Sequence, residues 1–153
     1  MRTVVLSLLA SVAVASPALA NEARVEARGG VIWDQGDSEA IAGVAAGYDW
    51  DLGSTAFVGV EASADKILTD NTRVAFGFGG RIGAHVGEAG KLYVASSYQT
   101  KPCQFCEDSV SLGAGYQHNF GQKLYGKVEY RHFFTGNNVS DPDAVVAGLG
   151  VKF

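Results

Sequence analysis

The sequence predicts an all-β protein, a single up-and-down antiparallel β-barrel of eight strands with a polar interior. Two observations carry this prediction. Apolar and polar residues alternate repeatedly after residue 20, and no segment there sustains the i, i+3, i+4, i+7 apolar stripe of a helix. Glycine is frequent, with 20 of 153 residues, while charged residues make up only 18%. A disordered chain is therefore not expected.

The first 20 residues have a different composition from the rest of the chain. Arg2 precedes an apolar stretch over 3–15, and Ala18-Leu19-Ala20 is typical of a signal-peptidase cleavage site. The apolar stretch is too short to cross a bilayer as a helix. We therefore expect a cleaved secretory signal peptide at 1–20 and an exported barrel domain at 21–153, which folds in an oxidising compartment.

The first four predicted strands are 23–33, 42–50, 56–64 and 73–86. In the first, charges occupy every second position over 24–28. In the second, Tyr48 and Trp50 share an apolar face opposite glycines, and in the third Val58 and Val60 do the same. The fourth strand shows the alternation most clearly, with Val, Phe and Ile on one face and Gly or Arg on the other.

The last four predicted strands are 92–100, 110–120, 124–134 and 144–153. In the seventh, Leu124, Val128 and Tyr130 lie opposite charged residues. The connections after strands 2, 4 and 6 are tight, whereas those after strands 1, 3, 5 and 7 are polar and mostly longer. Eight strands of about ten residues joined in this way fill the chain without a further domain.

The composition of the two faces decides which kind of barrel is formed. A soluble barrel would have an apolar interior, and a transmembrane barrel a polar one. Here the charged face is too rich in glycine and too poor in Lys and Glu for a solvated exterior. It suits a narrow interior in which charges neutralise one another, while the apolar face suits lipid. The sequence therefore predicts a transmembrane barrel.

Aromatic residues on the apolar faces lie near both ends of the predicted strands. Such a placement is typical of the two aromatic girdles at membrane interfaces. With the N-terminus on the periplasmic side, the upper girdle consists of Trp33, Tyr98 and Phe134, and the lower girdle of Trp50, Phe120 and Phe153.

Several short motifs occur in an order that is informative. They are Gly47-Tyr48-Asp49-Trp50, then Val58-Gly59-Val60-Glu61, then Gly126-Lys127-Val128-Glu129-Tyr130-Arg131, and the end Gly148-Leu149-Gly150-Val151-Lys152-Phe153. In this order the chain resembles the small eight-stranded outer-membrane barrels of Gram-negative bacteria, the OmpA-like, OmpX-like and opacity-type porin family. The resemblance covers the whole of 21–153.

The resemblance implies a non-catalytic protein of the bacterial outer membrane that serves envelope structure, adhesion or surface interaction. It also implies insertion by the barrel assembly machinery, with Gly148, Val151 and Phe153 as the assembly signal. The outer loops are short for this family, and we expect no periplasmic peptidoglycan-binding domain. A peptidoglycan anchor role is therefore not carried over.

Charged residues near the middle of the strands are expected to form a network in the lumen. These residues are Glu26, Arg28, Glu61, Arg81, Glu129 and Arg131. An unpaired buried charge would cost several kcal/mol, so the network should be nearly neutral. It predicts either a salt-bridged plug or a pathway for ions. The plug is favoured because eight strands leave room only for side chains.

The two cysteines, Cys103 and Cys106, lie in the third outer loop. A redox motif would need a helix N-terminus and a zinc site two more ligands, and the sequence supplies neither. We therefore predict a local disulfide that stiffens the loop. No cofactor and no metal site are expected. No loop has the spacing of an EF-hand, so specific calcium binding is not supported.

An enzymatic alternative comes from His132. It lies on the lipid face near the top of strand seven, where outer-membrane lipid A deacylases carry a His-x-Ser pair. Here His132 is followed by two phenylalanines, and Thr135 and Ser140 are out of phase or in the loop. Without a nucleophile beside the base, hydrolysis lacks its attacking group. The sequence thus favours a protein that is not an enzyme.

The outer loops are acidic, which bears on the partners of the protein. Outer-membrane lipid and lipopolysaccharide are expected partners, a surface ligand stays open, and nucleic acid is not expected because the chain has a net charge of −4 and no basic block. We expect a monomer. The acidic loop residues are Asp34, Asp37, Glu39, Asp65, Asp70, Glu107, Asp108, Asp141 and Asp143, against Lys66 and Lys101.

Overall fold

The computed structural model describes residues 21–136 and 140–153. The predicted signal peptide at 1–20 lies outside the described residues. The strands are β1 (Glu22–Asp34), β2 (Asp37–Leu52), β3 (Ala56–Ile67), β4 (Ala75–Val86), β5 (Gly90–Gln99), β6 (Ser109–Phe120), β7 (Leu124–Phe134) and β8 (Asp143–Lys152).

The eight strands form one closed antiparallel barrel. Each strand pairs with its neighbours in sequence, and β1 pairs with β8 over ten residue pairs from Arg24 and Lys152 to Trp33 and Asp143. The predicted fold class is confirmed. Closure leaves no strand edge unpaired, which is the condition for placing strands in lipid. Within the described ranges, no helix has the length and apolar character needed to cross a membrane.

Burial is inverted relative to a soluble protein. Most large apolar side chains point outward, and several are more than half exposed, including Phe78 at 60% and Leu149 at 65%. Charged side chains point inward, and Arg24 and Asp49 are 1% and 0% exposed. The alternation of apolar and charged residues along each strand produces both faces at once, because successive side chains point to opposite sides of the sheet.

The two ends of the barrel differ in their connections. Both described chain ends lie at what we call the inner end, where β2–β3, β4–β5 and β6–β7 are joined by three-residue turns. The outer end carries the β1–β2 turn and the longer loops 68–74, 100–108 and 135–142.

The first outer connection is much shorter than the sequence predicts. Residues 34–41 were expected to form a loop, but the strands continue to Asp34 and from Asp37, and only Gln35 and Gly36 form the turn. Both turn residues have positive φ, 45° and 104°, as a tight hairpin turn requires. The polar residues of this hairpin keep strand geometry because backbone pairing continues beyond the last apolar residues of β1 and β2.

The start of β5 is also earlier than predicted. The register pairs Val86 with Gly90 and His85 with Lys91, so the turn is confined to residues 87–89. Lys91, which directly precedes the predicted strand 92–100, is therefore the first inward-facing residue of β5, where it is 3% exposed.

Candidate functional site

The interior of the barrel is filled by charged side chains from β1, β2, β3, β4, β5 and β7. Most are almost fully buried, and the carboxylates of Glu61 and Asp65 keep less than a fifth of their surface. We call this set the lumen network: Arg24, Glu26, Arg28, Asp49, Glu61, Asp65, Arg81, Lys91, Lys127, Glu129 and Arg131.

Glu61 on β3 joins two arginines of β1. Arg24 Nη1 donates to Glu61 Oε2 at 2.6 Å, and Arg28 Nη1 donates to Glu61 Oε1 at 2.8 Å. Arg28 Nε also donates to Asp65 Oδ1 at 2.7 Å, while its Nη2 pairs with the other oxygen of that carboxylate. A bidentate arginine–carboxylate pair is among the strongest and most directional polar contacts in proteins.

A second group of charges connects β1 with β7, and the signs alternate along it. Lys127 Nζ lies 2.6 Å from Glu26 Oε1 and 3.5 Å from Glu129 Oε2. Arg131 Nε donates to the second oxygen of Glu129. Each carboxylate therefore has a basic neighbour, which offsets the cost of removing these charges from water.

The third group surrounds Asp49, whose side chain is completely buried. Arg81 Nε donates to Asp49 Oδ1 at 2.9 Å, Lys91 Nζ donates to Oδ2 at 3.4 Å, and Arg24 Nε lies 3.6 Å from Oδ1. The Arg81 guanidinium also lies over the ring of Tyr93, 4.8 Å from its centroid. This cation–π contact adds to the ion pairs that hold the guanidinium.

Many of these contacts cross an intervening strand at a glycine. Arg24 and Glu61 are both in register with Gly47 on β2, so they are separated by one strand. A Cβ on Gly47 would lie 2.5 Å from Arg24 Nη2. Without a side chain at this position, the guanidinium can lie across β2 and reach the carboxylate.

The arrangement recurs around the barrel, and we call it a glycine bridge: two polar partners, two strands apart, in register with the glycine between them. In four further cases the partners are hydrogen bonded across the glycine. These are Arg28–Gly43–Asp65, Asp49–Gly59–Arg81, Tyr93–Gly115–Glu129 at 2.6 Å and Tyr125–Gly150–Glu26 at 2.8 Å.

The structure places all the charged residues predicted for the lumen in the interior and connects them. Five members of the same network were not predicted for the lumen: Arg24, Asp49, Asp65, Lys91 and Lys127. Of these, Asp65 was assigned to an outer loop. For Arg24 and Lys127 the signal was present, since each has the same parity as a predicted residue on its own strand. Asp49 shares the glycine-rich face of the second predicted strand, where no lumen residue was chosen, and Asp65 lies just beyond the predicted end of the third. Lys91 was missed because the start of β5 was placed too late.

Toward the outer end, the interior changes from charged to apolar. A cavity of about 390 Å³ opens there between the loops, and we call it the outer cup. Asp34, Asp37 and Glu39 of the first hairpin stand at its mouth, and Asp65, Gln99 and Arg131 at its base. Its apolar lining includes Ile32, Ile41, Ile67, Pro102, Phe105, Phe133 and Pro142.

The loop 100–108 forms one side of the outer cup. Cys103 and Cys106 are joined by a disulfide with Cα atoms 5.0 Å apart. Cys103 also pairs with Thr72 in an isolated bridge, and Arg73 N donates to Pro102 O at 2.8 Å. The disulfide turn is thus tied to the loop 68–74. It presents Phe105, which is 93% exposed.

Basic residues are few among the acidic residues of the outer end. Lys101 Nζ lies 3.4 Å from Glu107 Oε2, and Lys66 lies on the outward face of β3. Arg73, which was not counted with these loops, also belongs to the loop 68–74. Of the acidic residues predicted for loops, Asp34, Asp37, Glu39, Asp65 and Asp143 lie within strands.

The aromatic residues assigned to the girdles all point outward and are exposed. Those at the outer end lie at the ends of β1, β5 and β7, and those at the inner end close β2, β6 and the chain itself. Near the inner end the ring of Tyr48 also packs at a tilt against that of Trp50, with centroids 4.9 Å apart. The girdle residues are Trp33, Tyr98 and Phe134 outside, and Trp50, Phe120 and Phe153 inside.

His132 lies on the outward face of β7 and is partnered. Its Nδ1 lies 2.8 Å from Asp143 Oδ1, and its ring packs edge-on against Phe134 at 4.7 Å. The Ser140 hydroxyl instead accepts a hydrogen bond from Gln35 Nε2 at 2.7 Å. The geometry therefore gives His132 an orienting carboxylate and places the nearby serine in contact with a different residue.

The predicted assembly residues belong to the strand that closes the barrel. Gly148 faces the lumen beside Lys127, whereas Val151 and Phe153 face outward. Phe153 N donates to Ala23 O at 2.9 Å, so the last residue still pairs with β1.

Comparison with known proteins shows a similarity of structure rather than of sequence. No protein-family model and no curated protein matches the chain. The fold is similar to Neisserial surface protein A, with 14% identity, 86% of this chain and 95% of that chain covered, and a TM-score of 0.61. It is also similar to the N-terminal β-barrel domain of Pseudomonas aeruginosa OprF, with 14% identity, coverages of 86% and 97%, and a TM-score of 0.56.

A third similar structure is Ail, the attachment invasion locus protein of Yersinia pestis. It shares 11% identity, the match covers 87% of this chain and 97% of that chain, and the TM-score is 0.57. At these identities the comparisons establish the fold, that of the small outer-membrane β-barrels.

Proposed function

We propose that this chain is an integral protein of a bacterial outer membrane that acts without catalysis, in envelope structure or surface interaction. The observation that carries the proposal is the inverted burial: an apolar, exposed wall around a charged, buried interior. In water such a wall would drive aggregation, whereas in a bilayer it faces hydrocarbon. The signal peptide cleaved after Ala20 and the terminal Gly148, Val151 and Phe153 are the features by which export and assembly would proceed.

The first test is membrane fractionation combined with gel mobility before and after boiling. The proposal expects the protein in the outer-membrane fraction, with faster migration of the unboiled sample because a closed barrel resists unfolding by detergent. Recovery as a soluble periplasmic protein would contradict it, and the apolar faces would then have to be a core.

We further propose that the lumen network closes the barrel to ions. The salt bridges reach across the lumen, and a cavity of about 20 Å³ beside Arg81 and Glu129 is comparable with the space needed by one water molecule. The alternative is a narrow pore lined by the same charges. A substitution of Glu61 tests both alternatives, because this carboxylate pairs with Arg24 and Arg28 inside the lumen.

Conductance across planar bilayers separates these alternatives. A closed barrel gives no stepwise current for the wild type. The only change that Glu61→Gln can then cause is an added leakage current. A pore gives wild-type steps whose ion selectivity is lost in Glu61→Gln. The conservative variant Glu88→Gln, in the β4–β5 turn, removes one charge outside the lumen and serves as the control.

A lipid A deacylase-like enzyme is the second alternative, and the His132–Asp143 contact is the observation that keeps it testable. Our proposal expects no release of acyl chains from lipopolysaccharide vesicles by the wild type. Acyl release that His132→Ala abolishes would establish the enzyme instead.

The partners we propose are outer-membrane lipid, lipopolysaccharide and, during insertion, the barrel assembly machinery, with the protein as a monomer. Ail has been crystallised in complex with the heparin analogue sucrose octasulfate. That ligand is a polyanion, and the outer end of this chain is acidic. We therefore do not extend polyanion binding to this protein.

A further inference from the structure

The outer cup combines an apolar wall with unpaired negative charge at its mouth. Three isoleucines, Ile32, Ile41 and Ile67, line it from β1, β2 and β3. Its volume of about 390 Å³ is within the range of pockets that bind small molecules. The recess is open at the loop end, and displacement of its water by an apolar group is favourable.

The negative charge at the mouth has no counter-charge nearby. Asp34 and Asp37 lie directly opposite each other across β1 and β2, and Glu39 follows two residues later on the same face of β2. Like charges placed opposite each other on a ladder are destabilising. Among the described residues, none of these three carboxylates forms a salt bridge, and Lys101 and Arg131 are engaged elsewhere, with Glu107 and Glu129.

The walls of the outer cup are held by contacts between loops. Gln35 Nε2 donates to Ser140 Oγ at 2.7 Å and links the first hairpin to the last loop. The disulfide turn is tied to Arg73 through the Pro102 carbonyl. Within the last loop, Thr135 N donates to Asp141 Oδ1 at 2.8 Å. A recess held in shape before binding loses less entropy when a ligand enters.

We propose that the outer cup binds small organic ammonium ions, with the apolar body against the isoleucines and the cationic group among Asp34, Asp37 and Glu39. The apolar wall selects against small hydrated cations, and the acidic mouth selects against neutral and anionic ligands of the same shape. This inference does not depend on whether the lumen conducts ions or on the envelope role proposed above.

The isoleucines allow a direct test, because the chain has only four and three of them line the cup. The fourth, Ile82, lies on the outer wall and is 54% exposed. Folded protein purified from membranes is placed in lipid nanodiscs with its isoleucine δ1 methyl groups labelled. Methyl NMR spectra are then recorded during titration with 2-phenylethylammonium, and the spectrum of Ile82 reports ligand that merely enters the bilayer.

The proposal expects saturable shifts at Ile32, Ile41 and Ile67 with no saturable shift at Ile82. The neutral 2-phenylethanol and the anionic 3-phenylpropionate share the ring and should bind more weakly, in that order. Methylammonium, which lacks the ring, should bind weakly too. Equal affinity for 2-phenylethanol, or equal shifts at Ile82, would overturn the proposal.

Charge variants complete the test. The double variant Asp34→Asn with Asp37→Asn should raise the Kd for 2-phenylethylammonium about 10-fold, since each partly exposed ion pair contributes modestly. The control Glu88→Gln removes an acidic residue at the opposite end of the barrel and should leave the Kd unchanged. An unaltered Kd in the double variant, with boiling-sensitive gel mobility showing that it is folded, would rule out the assigned site.

Discussion

The lumen network and the outer cup are built from inward-facing residues of the same strands, yet they treat charge in opposite ways. In the network, Asp49 is fully buried among Arg81, Lys91 and Arg24. At the mouth of the cup, Asp34 and Asp37 face each other without a basic partner among the described residues. The difference is explained by access to water, because an enclosed charge must be neutralised whereas a charge in contact with water is already stabilised.

Paired charges are therefore expected to stabilise this barrel only where they are enclosed. Substitutions of the same chemical type should therefore have large effects in the lumen and small effects at the cup. Each of the following predictions tests that contrast, from the largest effect to the smallest.

The largest effect is expected for Asp49→Asn. It leaves Arg81, Lys91 and Arg24 without their shared carboxylate, which should lower the free energy of unfolding by about 3–5 kcal/mol. Urea unfolding in lipid vesicles, followed by tryptophan fluorescence, measures the change. The matched control is Asp37→Asn at the cup, which should be neutral within about 0.5 kcal/mol or slightly stabilising, because it relieves repulsion with Asp34. Equal losses in the two variants would refute the contrast.

A smaller effect is expected when a glycine bridge is filled. A Cβ at Gly115 would lie 2.5 Å from Tyr93 Oη, so Gly115→Ala must displace the tyrosine from Glu129, at a cost of about 1–3 kcal/mol. The control is Gly29→Ala, on the outward face, whose nearest neighbouring atom would be Ile41 O at 3.5 Å. The same urea titration should find Gly29→Ala no less stable than wild type. A loss in Gly29→Ala as large as that in Gly115→Ala would mean that the bridge has no special role.

The smallest effect on global stability is expected at the disulfide. Replacing Cys103 and Cys106 by serine opens a loop of only a few residues, so the free energy of unfolding should fall by at most about 2 kcal/mol. Limited proteolysis should nevertheless cut the loop 100–108 faster, because the turn that presents Phe105 is released. Reduction of the wild type should reproduce both results, and a loss comparable to that of Asp49→Asn would show that the loop supports the barrel itself.

The sequence by itself determined the class of fold and the direction of each face. Period-two alternation distinguishes inward from outward residues on every strand, and this was enough to place Glu26, Arg28, Glu61, Arg81, Glu129 and Arg131 in the interior. It was also enough to direct Trp33, Trp50 and Phe153 outward. These features are local, because they depend only on which residues are two apart in a strand.

Only the tertiary structure decided which charges meet. Arg24 donates to Glu61 across Gly47, and Tyr93 donates to Glu129 across Gly115. Both contacts depend on the register of three strands. Alternation states which face a residue occupies but not its height in the barrel, so a shift of two residues would keep every face and change every pair. The extension of the first hairpin to Gln35 and Gly36, and with it the outer cup, likewise follows from backbone pairing that continues where hydrophobic alternation has ended.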